Sequence, residues 1–176
     1  MQSRRKFFQS ASLLLTVLSH PGLAFAEDPA CRRLRFEQIH THEQLDVCYY
    51  ELGQYLPDAL AEINHLLRDF RTREIKSIDV QLLDHLAELY QATESSGVYQ
   101  IISAYRSPAT NEQLRNTRTG IDEHSLHMEG RAIDVRLTDV PTQTLNAVAI
   151  SLKQGGVGYY AVSDFVHLDT GPVRTW

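Results

Sequence analysis

The chain has 176 residues, 43% hydrophobic and 22% charged, with 9 Gly, 6 Pro and 2 Cys, the composition of one ordinary globular domain. Collagen-like, disordered and disulfide-dense classes are excluded. The formal net charge is -5, and because Arg4, Arg5 and Lys6 fall among the first 26 residues with no acid beside them, the rest carries -8. An acidic body speaks against a nucleic-acid partner.

Those first residues read as an address. A basic stretch, Arg4-Arg5-Lys6, precedes the apolar run around Leu13 to Leu18, which is too short to span a bilayer, so no stable membrane anchor is expected. Pro21-Gly22 breaks the helix, and Ala24-Phe25-Ala26 offers the small side chains that a signal peptidase needs. Cleavage is expected after Ala26, giving a signal peptide over 1–26 and a domain over 27–176. Ser3-Arg4-Arg5-Lys6-Phe7-Phe8 matches the twin-arginine export pattern, with a Sec signal as the alternative. The 150 residues that remain suit one domain without internal repeats, and a monomer is expected.

The domain opens with Leu34 and Phe36 at alternate positions, the polar cluster His40-Thr41-His42-Glu43, then Leu45, Val47 and Tyr49. This predicts a β-hairpin, in the register Gln38 with Leu45, Phe36 with Val47 and Leu34 with Tyr49. Ile39 breaks the parity of the first strand. In that register Cys31 and Cys48 share a face but lie out of pairing, so a disulfide requires a bend before Arg32, and two separate thiols are the alternative. Leu60, Ile63, Leu66, Leu67 and Phe70 after Pro57, and Leu82, Leu83, Leu86 and Leu89 after Asp79, recur at helical spacing and predict two amphipathic helices packed on a core. His65 and His85 belong to those helices.

Val98-Tyr99-Gln100-Ile101-Ile102 reads as a strand, followed at Ser103 to Pro108 by a turn into a short helix. A strand from Ala132 to Leu137, a helix around Leu145 to Lys153, a turn at Gly155-Gly156 and short strands near Val157–Tyr160 and Phe165–Asp169 complete the chain. Without regular βαβ alternation the expected class is α+β, with a small antiparallel sheet, flanking helices and the N-terminal hairpin.

The chemistry gathers in Ser125-Leu126-His127-Met128-Glu129-Gly130-Arg131-Ala132-Ile133-Asp134. Alternation along the strand buries Ile133, Val135 and Leu137 and sends Ala132, Asp134 and Arg136 to the opposite face. Small Ala132 leaves space there for the His127 ring and a metal ion. The same parity buries Val166 and Leu168 and turns Phe165, His167 and Asp169 to the other face, which offers His167 as a third ligand. Two histidines and a carboxylate suit one Zn²⁺ with an open fourth position, the arrangement of a hydrolase. His40, His42 and His124 are left outside the site, and Arg115, Arg118 and Arg131 read as solvated surface.

Ser125, His127, Gly130, Ala132 and Asp134 complete the pattern Ser-x-His-x-x-Gly-x-Ala-x-Asp, with a later ligand at His167. The chain thereby resembles the zinc peptidases that include D-Ala-D-Ala metallocarboxypeptidases, murein endopeptidases and the Hedgehog-type zinc fold. Ser103-Ala104-Tyr105-Arg106-Ser107, Gly155 to Tyr160, Phe165 to Pro172, the hairpin and the closing Arg174-Thr175-Trp176 extend that likeness toward the murein endopeptidase K-like branch, over essentially the whole domain. The resemblance implies a periplasmic zinc hydrolase of peptide cross-links in peptidoglycan, including links between two diaminopimelate residues. A carboxypeptidase on stem peptides and a non-catalytic wall-binding module are the alternatives. It further implies Arg106 as binder of a substrate carboxylate or of the tetrahedral oxyanion. For the general base, several relatives carry Glu three residues before the last histidine, where this chain has Asp164. That pattern selects Asp164 with a bend before Phe165, while strand parity alone favours Asp169. Either carboxylate is otherwise an orienter of a zinc histidine. Tyr159, Tyr160 and Trp176 are read as core aromatics, with the lining of a groove for the stem peptide as the alternative, and are left out of the site.

Overall fold

The computed structural model describes residues 31–117 and 120–176. The signal segment with its cleavage after Ala26, and Arg118, lie outside the described residues.

Strands β1 (Cys31–Gln38) and β2 (Gln44–Glu51) form the expected hairpin. Its register differs from the expected one: Leu34 pairs with Val47 and Phe36 with Leu45. The cause is the turn. Ile39 belongs to the turn and not to the strand, His42 takes a left-handed conformation at φ 60°, and the Gln38 N–H closes the loop on the Glu43 carbonyl at 2.9 Å. The irregularity falls one residue later than the expected bend before Arg32, as a β-bulge between Arg32 and Arg33. Cys31 and Cys48 form a disulfide with Cα atoms 6.0 Å apart.

After the short strand β3 (Gln54–Tyr55) comes α1 (Pro57–Leu66), which starts with Pro where no backbone N–H is needed and buries Ala59, Ile63 and Leu66. In α2 (Val80–Ala92) the Asp79 carboxylate caps the first turn by accepting from the Gln81 N–H, and Leu82, Leu83, Leu86 and Leu89 are buried. Strand β4 (Tyr99–Ser103), α3 (Pro108–Thr117), a 3₁₀ turn (Leu126–Glu129), β5 (Ala132–Leu137), α4 (Thr142–Leu152), β6 (Gly156–Tyr160), β7 (Phe165–Asp169) and β8 (Arg174–Thr175) follow. Helix α4 begins three residues before the expected Leu145, directly after Pro141.

The strands make one eight-stranded sheet in the order β3-β2-β1-β4-β5-β7-β6-β8. The class is the expected α+β, but the sheet is larger than expected and mixed, because β1 pairs with β4 and β6 with β8 in parallel. A parallel partner requires a long crossover, and the segment carrying α1 and α2 supplies it between the hairpin and β4. Leu34, Phe36, Tyr99, Ile101, Ile133, Val135, Val166 and Leu168 from the sheet join Ile63, Leu82, Leu86 and Leu145 from the helices in a single core. Helices α1, α2 and α4 thus occupy one face of the sheet. The other face of β5 and β7 is left for Ala132, Asp134, His167 and Asp169.

The hairpin is fastened to α2 through Asp84, which accepts hydrogen bonds from Arg32 Nη1 at 2.6 Å, Tyr49 Oη at 2.8 Å and Tyr55 Oη at 2.7 Å. Burial raises the pKa of this carboxyl, but the three donors outweigh burial and hold it below its ordinary 3.8. A carboxylate depressed in the fold adds stability above the unfolded value, and that stability is lost as pH falls through the folded value. Asp84→Ala strands the Tyr49 hydroxyl and is expected to cost about 1–3 kcal/mol at pH 7. Urea titrations at pH 7 and below pH 3.8 check this: the variant should lose less stability on acidification than the parent, and an unchanged midpoint at pH 7 would contradict the role of Asp84.

Candidate metal centre

His127 is set by its own turn. Ser125 precedes the 3₁₀ turn, and its hydroxyl accepts from the His127 N–H at 3.4 Å. Gly130 ends the turn at φ 72°, in the left-handed region, and a Cβ there would run into the Ser77 carbonyl, so only glycine fits. The Gly130 carbonyl accepts from the Asp79 N–H at 2.9 Å, which ties this turn to the start of α2. From this platform the His127 ring sends Nδ1 to the Ala104 carbonyl, 2.8 Å away, and presents Nε2 to Asp134 Oδ1 at 3.4 Å. Donation from Nδ1 to a carbonyl leaves Nε2 with a free lone pair.

Asp134 and His167 are direct cross-strand partners on β5 and β7, which is why the parity argument finds them on one face. His167 Nδ1 lies 2.8 Å from Asp134 Oδ1, and the two histidine rings meet edge to face with centroids 5.1 Å apart. Asp134 is buried on that face at 7% exposure, with the His127 and His167 rings against its carboxylate. The donor atoms of His127, Asp134 and His167 all lie within 4.8 Å of one another, a metal-sized group among the described residues.

The outer nitrogen of His167, Nε2, meets Asp169 Oδ2 at 3.1 Å. The Asp169 side chain is fully buried, and its oxygens also accept from the Gly156 N–H at 3.1 Å, the Gly171 N–H at 2.8 Å and Arg174 Nη2 at 2.7 Å. Burial raises the Asp169 pKa, yet His167, Arg174 and the backbone donors together hold it well below the carboxylate range. Asp134 is likewise held low: burial opposes ionisation, and the neighbouring His127 and His167 outweigh it. For His167 the burial effect lowers the pKa, but hydrogen bonds from its ring to Asp134 and Asp169 prevail and push it up to about 9. Two carboxylates thus hold a positive charge at a spot lined by nitrogen and oxygen donors. A divalent cation satisfies the same requirement, and two imidazoles with one carboxylate are a donor set that Zn²⁺ takes.

Arg106 is buried, with its backbone N–H donating to the His127 carbonyl at 3.1 Å and Nη1 to Asn111 Oδ1 at 3.1 Å. Asp164 lies at the other end of β7 from Asp169, in a left-handed turn at φ 52°, so the bend before Phe165 is present. Its carboxylate accepts from the Thr142 hydroxyl and pairs with Arg136 Nη1 at 3.4 Å, and its side chain is 63% exposed. His40 stacks on Phe70 with centroids 4.0 Å apart, and His124 is exposed, so neither joins the group. Arg131 is more than solvated surface: its guanidinium grips the Thr170 carbonyl at 2.6 Å and the Thr170 hydroxyl at 3.0 Å, closing the end of β7 onto the start of β5. Sequence alone assigns no site role to Arg174 and leaves Trp176 out of the site; they reach it from β8 and from the residue directly after it. The alternating glycines of Gly156-Val157-Gly158 were the signal, since they clear the same face of β6.

An α+β domain with a three-donor metal group on the open face of its sheet, each histidine fixed through its second nitrogen, has the build of a metal-dependent hydrolase. The family model described as peptidoglycan L,D-endopeptidase MepK matches residues 26–176. The chain is 36% identical to peptidoglycan L,D-endopeptidase MepK of Escherichia coli K12 over 176 residues, covering 99% of this chain and 97% of that protein. It is 35% identical to the probable peptidoglycan L,D-endopeptidase MepK of Haemophilus influenzae, covering 99% of this chain and 96% of the other. No solved structure matches. The chain belongs to the MepK family of peptidases.

Proposed function

We propose that this chain is a zinc-dependent endopeptidase of the periplasm that hydrolyses peptide cross-links of peptidoglycan, including links between two diaminopimelate residues. The observation that carries the reading is the convergence of His127 Nε2, Asp134 Oδ1 and His167 Nδ1, with the second nitrogen of each ring already engaged. When bound there, one Zn²⁺ supplies a Lewis acid that polarises the scissile carbonyl and acidifies a water. His127, Asp134 and His167 hold it, and Asp169 orients the His167 ring. Asp164 takes the proton of the attacking water and passes it to the leaving amine. Exposure supports Asp164 over Asp169: its side chain is 63% exposed, although Thr142 and Arg136 hold it at the other end of β7, whereas the Asp169 side chain is fully buried with its oxygens held by Gly156, Gly171, Arg174 and His167. Arg106 binds a substrate carboxylate or the developing oxyanion through its planar fork. Digestion of purified muropeptides of defined cross-linkage, read by mass spectrometry, tests the reading. Dimers should fall to monomers. Release of terminal D-alanine alone would make the protein a carboxypeptidase, and binding without cleavage a wall-binding module.

The reading includes export through the twin-arginine route, cleavage after Ala26 and a monomeric domain over 27–176. It is supported by the basic-then-apolar order of the first 26 residues. Replacing Arg4 and Arg5 together by Lys keeps the charge and is expected to leave precursor in the cytoplasm, as seen by fractionation and immunoblot. Normal export of that variant would assign the Sec route.

A further inference from the structure

Residues Arg174–Trp176 lie along the outer edge of β6. The Trp176 N–H donates to the Val157 carbonyl at 3.2 Å, and the Tyr159 N–H donates to the Trp176 carbonyl at 3.1 Å. This short addition carries two side chains onto the metal-bearing face. Arg174 reaches Asp169, as described above. Trp176 swings its indole across β6 to lie 5.2 Å, centroid to centroid, from the His167 ring.

The place of that indole is built into the sheet. Gly158 is the direct cross-strand neighbour of His167, so any side chain on it would stand beside the ligand ring. Gly158 has none, and a Cβ there would come within 2.6 Å of Trp176 Cε2, far closer than carbon atoms approach. The hollow left by glycine is therefore filled by the indole. Trp176 Nε1 then donates to Tyr160 Oη at 3.0 Å, the Tyr160 ring stacks on Phe165 at 4.5 Å, and the Arg174 guanidinium lies over the indole at 5.0 Å. Despite these contacts the tryptophan is 52% exposed and Tyr160 40% exposed. A large aromatic fixed on both edges, yet open on a face beside a metal ligand, has the properties of a binding wall: much apolar area, its polar N–H satisfied, and few torsions left to freeze on contact.

We infer that Trp176, with Tyr160 behind it, is a substrate-positioning surface of this enzyme, against which the peptide on one side of the scissile bond packs its backbone planes and methylene groups. The inference rests on the peptidase reading above and adds a residue to it. Trp176 does not take part in bond making. It packs against the flank of the bound peptide equally before and during reaction, so its removal weakens binding and leaves the chemistry of bound substrate intact.

Trp176 is the only tryptophan of the chain, so its emission reports on this spot alone. Titrating the zinc-loaded protein with an uncross-linked stem tetrapeptide is expected to shift the emission to the blue and to saturate. Trp176→Ala, at unchanged zinc content, is expected to raise KM for a cross-linked muropeptide dimer about fivefold to tenfold, as loss of one aromatic contact implies, with kcat within about twofold. Trp176→Phe should restore most of the KM, and Tyr160→Phe keeps the test open if the alanine variant does not fold, by releasing the indole edge and raising KM more modestly. Emission indifferent to saturating peptide, or a Trp176→Ala variant with unchanged KM, would overturn the inference. A parent enzyme that cleaves no cross-link while its emission still responds to the peptide would instead overturn the cleavage reading and leave the binding wall standing.

Discussion

His127→Ala and His167→Ala are each expected to abolish stoichiometric zinc and to bring muropeptide cleavage to background, because each removes one of only three protein donors from the group. Elemental analysis of the purified variants gives the metal content. Asp169→Asn is a milder lesion of the same machinery. It keeps the shape but removes the charge that faces His167 Nε2 at 3.1 Å and Arg174 Nη2 at 2.7 Å, so the ring is less firmly aimed. Loss of such an orienting partner typically costs about 10- to 100-fold in metal affinity. Zinc competition titrations should therefore rank the variants parent, Asp169→Asn, then His127→Ala. Full zinc occupancy in both histidine variants would move the site elsewhere.

The second large effect concerns the proton. Asp164→Asn preserves the size of the side chain and touches no metal donor, so zinc content and thermal stability should stay close to the parent. If Asp164 takes the proton of the attacking water, turnover falls about 100-fold or more, the usual scale for a lost general base. Turnover close to normal in Asp164→Asn, beside an Asp169→Asn variant that is inactive at full zinc loading, would transfer the role to Asp169.

The central pairing of the site was legible because it depends on parity alone. Ile133 and Val135, like Val166 and Leu168, must enter the core, and with a period of two this turns Asp134 and His167 to the same face whatever the rest of the chain does. The turn at Gly130 was equally local, since it rests on a single glycine at positive φ. The hairpin register was not legible, since Ile39 carries an apolar side chain but sits in the turn, and polar residues around it offer several equivalent turns. The parallel pairing of β1 with β4 depends on how two helices fold back over the hairpin, which no local pattern encodes. The same holds for Asp169. Its sequence position allows a base or an orienter, and only the arrival of Arg174 and two backbone N–H groups around a fully buried carboxylate favours the second. For Trp176 the sequence leaves core packing and groove lining as alternatives, and the missing side chain of Gly158 beneath its indole, with half of the residue exposed, favours the second.

Restoring zinc stepwise to chelator-stripped protein, while following cleavage of a cross-linked muropeptide dimer by mass spectrometry, tests the account most directly. Activity should be absent without metal, rise linearly and level off at one equivalent of Zn²⁺, with no recovery in His127→Ala at the same concentrations. Cleavage by the stripped protein, or recovery of His127→Ala alongside the parent, would contradict a hydrolase built on His127, Asp134 and His167.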